Sequence, residues 1–384
     1  MARSWVEIDE KRLVENYTTV REATGADTEV LAVVKANAYG HGLEQCAAAL
    51  ARAGAQWLGV ADAAEGVRAR RVLEAAGITP DVVSVLAMCG VMCGEASVIA
   101  EHGLTPVVWT MEQVAELAEA ARALKATLRV HVEIDTGMSR QGVRPGAELV
   151  ELLGVIERGG LELDGVCTHF SSAEVAGSER TREQKKRFET AVEQVREAGL
   201  KPRWVHAGSS SSVDVGGDAA WLEELAKSVG ARAMVRSGIA LYGYALPAEG
   251  ADSHIRAKLR PVMTWKTRVL DVREVAAGEA IGYNATYVAR KAMRMVLLPV
   301  GYADGLRREL SATNERAGGW VMVRGERAPI VGRVSMNLTT VDVTGIDGVK
   351  AGDEVVLLGD GITADDHARI AGTIAYEVLC GVRA

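Results

Sequence analysis

The chain has 384 residues, 48% hydrophobic and 25% charged, which describes a folded chain long enough for one large domain and a smaller one. Its 44 basic residues against 51 acidic give a net charge of −7. No long basic run or aromatic-interleaved patch occurs, so neither nucleic acid nor an anionic membrane is the expected partner. A small molecule is. With no charged-then-apolar leader and no apolar run of bilayer length, a cytoplasmic location is expected. The five cysteines, Cys46, Cys89, Cys93, Cys167 and Cys380, are scattered, lack CxxC spacing and read as free thiols, so no metal site is expected.

In chain order, short β-branched runs fall at 30–34, 57–60, 81–86, 105–109, 128–134, 163–168, 203–206 and 232–236. Between them lie helix-periodic, Ala/Glu/Arg-rich segments such as 43–53, 63–76, 111–124 and 182–198. Eight strand–helix units predict an α/β fold, an eight-stranded parallel barrel of the TIM type over 1–244. A doubly wound open sheet is the alternative, but no GxGxxG follows the first strand. After Tyr244 the pattern changes: Pro247, Gly250 and Pro261 interrupt it, and alternating runs such as VMTWKTRVLDVREV and WVMVRGERAPIVGRVSMNLTTVDV follow. A second, smaller, mostly-β domain is expected over 245–384, helical only in its last twenty residues or so.

In such a barrel the chemistry sits just beyond the C-terminal ends of the strands. Lys35 stands there after the first run, at the head of the loop ANAYGHG. DTGMSR follows the fifth run, THFSS the sixth, HAGSSSS the seventh and RSGIALYGY the eighth. The last two loops are where this fold cradles phosphate. Here they offer the hydroxyls of Ser209 and Ser210 and the backbone N–H groups of Gly238 and Ile239. An amine at the first strand and a phosphate cradle at the last two describe a pyridoxal 5'-phosphate site. Taken singly these residues say less. A lysine at a strand end is usually solvated, and a lone His169 is usually a satisfied core residue.

VEIDEKRLVENY, AVVKANAYGHG, EIDTGMSRQGV, THFSSAE, RSGIALYGY, GYNATY, PVGYADG and APIVGRVSMN occur in the order, and roughly at the spacing, found in bacterial alanine racemase, which the chain resembles over nearly its whole length. The resemblance implies a homodimeric pyridoxal phosphate enzyme that interconverts L- and D-alanine for cell-wall peptide synthesis. By the same resemblance Lys35 is the Schiff-base lysine and the base on one substrate face, and Tyr39 is a phosphate ligand. Tyr283 is the base on the opposite face and Tyr302 a pocket wall, both supplied by the partner subunit. Two bases suit racemisation, because a proton removed from one face of Cα must return on the other. His169 and Arg236 form the network behind Tyr283, with Arg236 facing the cofactor's ring nitrogen. Arg140 contacts the cofactor's phenolic oxygen and the substrate carboxylate, and the Met336 backbone N–H helps to hold that carboxylate.

The family pattern is broken at four residues and in one segment. Glu133 replaces a lysine that becomes carbamylated and orients the arginine. Glu174 replaces the aspartate of THFxxAD, Ser335 a frequent cysteine and Asn337 a common aspartate. The RVPR-x-Y segment that follows IAYEVLCGVRA in the family has no counterpart up to Ala384. Glu133 lies two residues before Asp135 on an alternating strand and is expected to pair with Arg140, directly or through a water, its permanent charge serving where the family uses carbamate. Racemases of serine or of several amino acids fit the altered positions. A non-catalytic pyridoxal phosphate carrier fits less well, because such proteins lack a C-terminal β domain.

Overall fold

Eight parallel strands close a barrel in the computed structural model, which describes residues 2–383. Strand β1 (Ser4–Ile8) comes first in the chain and lies outside it. The barrel strands are β2 (Thr28–Val33), β3 (Trp57–Val60), β4 (Ser84–Ala87), β5 (Thr105–Val108), β6 (Arg129–Glu133), β7 (Glu162–Cys167), β8 (Trp204–His206) and β9 (Arg232–Ser237), with β9 pairing back onto β2. β4 starts three residues later than expected, because the chain around Pro80 and Asp81 is a turn in which Val82 and Val83 N–H donate to the Thr79 carbonyl. Helix Glu179–Glu197 starts three residues earlier, because the Ser178 side chain accepts from the Thr181 N–H and caps it.

Along β6, Val130 and Val132 alternate with His131 and Glu133, and all four are buried. The register against β7 slips between Val130, opposite Leu163, and His131, opposite Gly165. Asp164 is therefore the extra residue of a β-bulge. Glycine is required beside it, since a Cβ on Gly165 would lie 2.6 Å from the His131 ring.

The chain between β2 and helix Leu43–Arg52 is not the flexible loop that its composition suggests. Ala36, Asn37, Ala38 and Tyr39 all have φ of 53–55°, a left-handed turn beginning at Lys35. Each non-glycine residue in that conformation costs about 1–2 kcal/mol. Polar anchors hold it: the Asn37 N–H donates to Glu65 Oε1 at 2.9 Å, and Asn37 Oδ1 accepts from the Leu43 N–H at 3.0 Å and Arg68 Nη2 at 3.1 Å.

The chain divides into two units. The barrel unit extends to Arg260, beyond the expected boundary at 244. The added stretch is tied down by Asp214 Oδ1, which accepts from Ser253 Oγ and from the N–H groups of Ile255 and Arg256. Asn16 and Arg260 bond each other in both directions, Oδ1 accepting from the Arg260 N–H and Nδ2 donating to its carbonyl. The other unit runs from Pro261 onward and also takes in β1 and Tyr39–His41. Its largest sheet has the order β1, β10 (Met263–Arg268), Glu354–Leu358, Trp320–Val323, Glu326–Pro329, and a second sheet holds Asp271–Val275, Met293–Leu298 and Thr339–Asp342. Helices Ala364–Ala371 and Ala375–Cys380 come last. None of the five cysteines forms a disulfide, and no described helix is long and apolar enough to cross a membrane.

Gly165→Ala is expected to lower stability by about 1–3 kcal/mol, the range for overpacking a filled core. A shift of the urea midpoint to lower concentration checks this. A wild-type midpoint would mean that the His131 ring moves aside freely.

Candidate active site

Lys35 follows β2 by two residues and is half-buried, with no ion-pair partner at 4.0 Å or less among the described residues. Arg236, the penultimate residue of β9, has three acceptors. Its Nη1 donates to His206 Nδ1 at 2.9 Å, and its Nη2 donates to the Thr168 carbonyl at 2.6 Å and to His169 Nδ1 at 3.2 Å. The expected His169–Arg236 contact is thus present, and His169 is held neutral. Burial, reinforced by the positive charges of Arg236, Arg140 and Lys35, pushes its pKa down to about 3.

The expected direct pair of Glu133 with Arg140 does not form. Glu133 Oε2 instead accepts from Gln141 Nε2 at 2.7 Å, and the same amide donates to the Met88 carbonyl at 3.0 Å. Loop geometry explains the exchange. Asp135 Oδ1 collects the N–H groups of Gly137 and Ser139, and Ser139 adopts φ 57°. Gln141 returns to the strand end while Arg140 stays exposed. Burial raises the pKa of Glu133, against the lowering effects of Arg236, Gln141, Arg140 and Lys35.

The two expected cradle loops lie side by side. Ser210 Oγ accepts from the N–H groups of Gly238 at 3.1 Å and Ala240 at 3.2 Å, and lies 3.1 Å from Ser237 Oγ. Ser209 is the N-cap of helix Ser210–Val215, and its side chain makes no capping bond. Hydroxyls and amides without a carboxylate among them are a donor set suited to a phosphate monoester.

The remaining expected residues lie in the other unit. Tyr39 is buried with its ring 6.0 Å from that of Tyr376, and burial raises its hydroxyl pKa. Tyr283, Tyr302 and Met336 are exposed by 65%, 43% and 57%. Tyr302 and Met336 are on adjoining segments, since the N–H groups of Tyr302 and Ala303 donate to the carbonyls of Ser335 and Met336. Tyr283 opens a turn in which Asn284 and Ala285 have φ of 62° and 49°.

Sequence reasoning passed over His131, His206 and Asp164. His131 Nδ1 lies 2.8 Å from His206 Nε2, and its Nε2 lies 3.3 Å from Asp164 Oδ2. These residues are far apart in the chain and have no motif spacing. The usable signal was Gly165 in the middle of an apolar strand, which marks a close approach.

A parallel barrel with a lysine and an arginine at the C-terminal ends of its strands, next to a hydroxyl and amide cradle, is an α/β-barrel of the phosphate-holding kind. Comparison with known proteins narrows the class. The profile of the alanine racemase N-terminal domain matches residues 8–246, and that of the C-terminal domain matches 262–384. The chain belongs to the alanine racemase family. It is 37% identical over 387 residues to the alanine racemase of Syntrophobacter fumaroxidans, covering 100% of this chain and 96% of the relative. To that of Symbiobacterium thermophilum it is 38% identical over 392 residues, covering 100% and 95%. Among solved structures, the alanine racemase of Streptomyces coelicolor superposes with a TM-score of 0.88 at 32% identity, covering 100% and 96%. The structure from Bartonella henselae, described as having covalently bound pyridoxal phosphate, gives 0.82 at 27%, covering 100% and 98%.

Because His169 refuses a proton in the folded protein until about pH 3 but accepts one near 6.5 when unfolded, its contribution to stability is full above pH 6.5 and is lost as pH falls toward 3. His131, His206 and His367 are depressed in the same sense by burial. The denaturation midpoint is therefore expected to fall with acid already below pH 6.5, and His169→Gln should make that slope shallower. A midpoint that is flat down to the carboxylate range would contradict the assignment.

Proposed function

We propose that this chain is a pyridoxal phosphate-dependent alanine racemase, with Lys35 and Tyr283 as the bases on opposite faces of the substrate and a homodimer that shares its active sites. The observation that carries this reading is Arg236. It is a guanidinium at the barrel mouth whose side-chain acceptors are neutral imidazoles, and its charge and that of Lys35 both act on His169. Arg236 can only donate, so a ring nitrogen facing it is kept unprotonated. A cofactor held so would withdraw electrons less strongly, which would favour return of the proton to Cα, the outcome that racemisation needs and transamination does not.

The residues present fit the cofactor. Ser209, Ser210 and the Ile239 N–H would hold its phosphate, the Gly238 N–H supporting the Ser210 hydroxyl, with Tyr39 as a further ligand, and Lys35 would carry it covalently. When bound, pyridoxal phosphate supplies the electron sink that makes the Cα–H of an amino acid acidic. Lys35 then moves the proton on one face. His169 accepts from Arg236 at Nδ1, so its proton sits on Nε2 and can be donated to a phenolate. Tyr283 in that position becomes the second base, since phenol otherwise ionises only near pH ~10. Arg140 and the Met336 N–H hold the substrate carboxylate, and Glu133 bears on Arg140 through Gln141, the neighbouring residue.

Tyr283, Tyr302, Met336 and Leu338 are large apolar side chains left exposed in the single chain, which supports a second copy covering them. The product suits the supply of D-alanine for cell-wall peptide.

Incubation with L-alanine, followed by circular dichroism, should show decay to the racemate, with L-serine and L-lysine as competing substrates for breadth. Borohydride reduction of the yellow protein should fix the cofactor on Lys35. A label on another lysine, or no turnover of alanine, overturns the reading.

Mixing Lys35→Ala with Tyr283→Phe protein should restore activity up to about one competent site per heterodimer, because both lesions can fall in one shared site. Failure to complement after demonstrated subunit exchange would place each site within one chain.

A further inference from the structure

Behind Arg236 runs a line of buried polar groups that spans the barrel interior and whose hydrogen bonds can point only one way. Both Arg236 Nη atoms are donors, so His206 Nδ1, at 2.9 Å from Nη1, must accept. The ring proton of His206 is then on Nε2, which faces His131 Nδ1 at 2.8 Å. His131 Nδ1 accepts in turn, its proton lies on Nε2, and it is donated to Asp164 Oδ2 at 3.3 Å. Other assignments fail. An imidazolium at His131 would need an acceptor at His206 Nε2, which would strip His206 of both ring protons. An imidazolium at His206 would turn an N–H toward the guanidinium.

The surroundings agree with this order. Both imidazoles are fully buried, and burial depresses both pKa values. For Asp164, burial raises the pKa, but the bonds from His131 and Arg203 prevail and bring it down to about 2. The line is also built into the fold: the bulge aims Asp164 at His131, and Gly165 leaves room for the ring. Trp57 closes one side, its ring centroid 5.2 Å from that of His131.

We infer that Asp164 is a positioning residue for Arg236, acting through His131 and His206 as two neutral Nε2–H tautomers. Its carboxylate accepts the last proton of the line whose direction Arg236 sets, while two uncharged rings separate it from the guanidinium. Arg236 is thereby fixed in place with no carboxylate hydrogen-bonded to it. The effect on catalysis rests on the racemase reading; the tautomers do not.

The test uses protein labelled with 15N-histidine, free of cofactor, with His131→Gln and His206→Gln assigning the signals. Two-bond 15N–1H spectra should show both rings as Nε2–H tautomers, without protonation, between about pH 6 and 9. An Nδ1–H tautomer or an imidazolium at either ring overturns the inference. Asp164→Asn keeps the shape and an acceptor oxygen but removes the charge, so both rings should stay Nε2–H, as Arg236 dictates, while the His131 Nε2–H resonance shifts with its weaker bond. In the cofactor-loaded enzyme the same substitution should reduce kcat roughly tenfold or more, the usual scale for an outer partner of a reacting group, with KM for alanine little changed. An unchanged rate, or an unshifted His131 Nε2–H resonance, in Asp164→Asn overturns the positioning role. If that variant does not fold, the wild-type tautomers decide. Failure of the racemase reading itself would appear separately, as a wild-type protein with Nε2–H rings and no turnover.

Discussion

Arg236 imposes a direction on the interior of the barrel. A guanidinium has five donors and no acceptor, so every side chain that meets it must present a lone pair. Thr168 answers with a carbonyl, His169 and His206 with Nδ1, and the tautomer of each ring follows. Buried histidines elsewhere can take either neutral form at little cost. Here one strand-end residue decides for several others, and a filled, uncharged ring layer is the result.

The second constraint is geometric. Four consecutive left-handed residues after Lys35 store several kcal/mol, and such strain persists only where the surroundings over-determine it. Glu65 does much of that work: one carboxylate oxygen takes the Asn37 N–H and the other takes the Ala61 N–H, which joins the turn to the end of β3. Lys35 thus stands at the junction of a relaxed strand and a strained turn, with its backbone held on both sides.

Much of this was legible in the residues. The barrel strands are short, β-branched and buried on both faces, so they announce themselves as unbroken apolar runs, and the capped helices between them carry 3.6-residue periodicity. The lysine, the arginine and the two serine- and glycine-rich loops stand where strand ends place chemistry. What escaped detection was of a different kind. Ala36 and Ala38 carry no mark of positive φ, because the strain is enforced by Glu65 and Arg68, distant in sequence. The pairing of Glu133 was read from charge and alternation, and a neutral amide, Gln141, took the place assigned to Arg140 once the loop turned at Ser139. His131 and His206 are 75 residues apart, and only the register between strands brings them into contact. β1 escaped for a related reason, as its partner in the sheet lies near residue 265.

That last pairing has a bearing on how the chain is made. β1 joins β10 antiparallel, with Trp5 opposite Lys266 and Ile8 opposite Met263, at the edge of the sheet. A ribosome adding residues at about 5–20 per second leaves the first strand without its neighbour for roughly 15–50 s. During that interval the barrel segments, whose contacts are closer in sequence, emerge in full. Strand β1 must stay unpaired through their synthesis, made before them yet docking after them. In a crowded cell an unpaired strand of this kind is open to capture by a chaperone or by another nascent copy of the same chain.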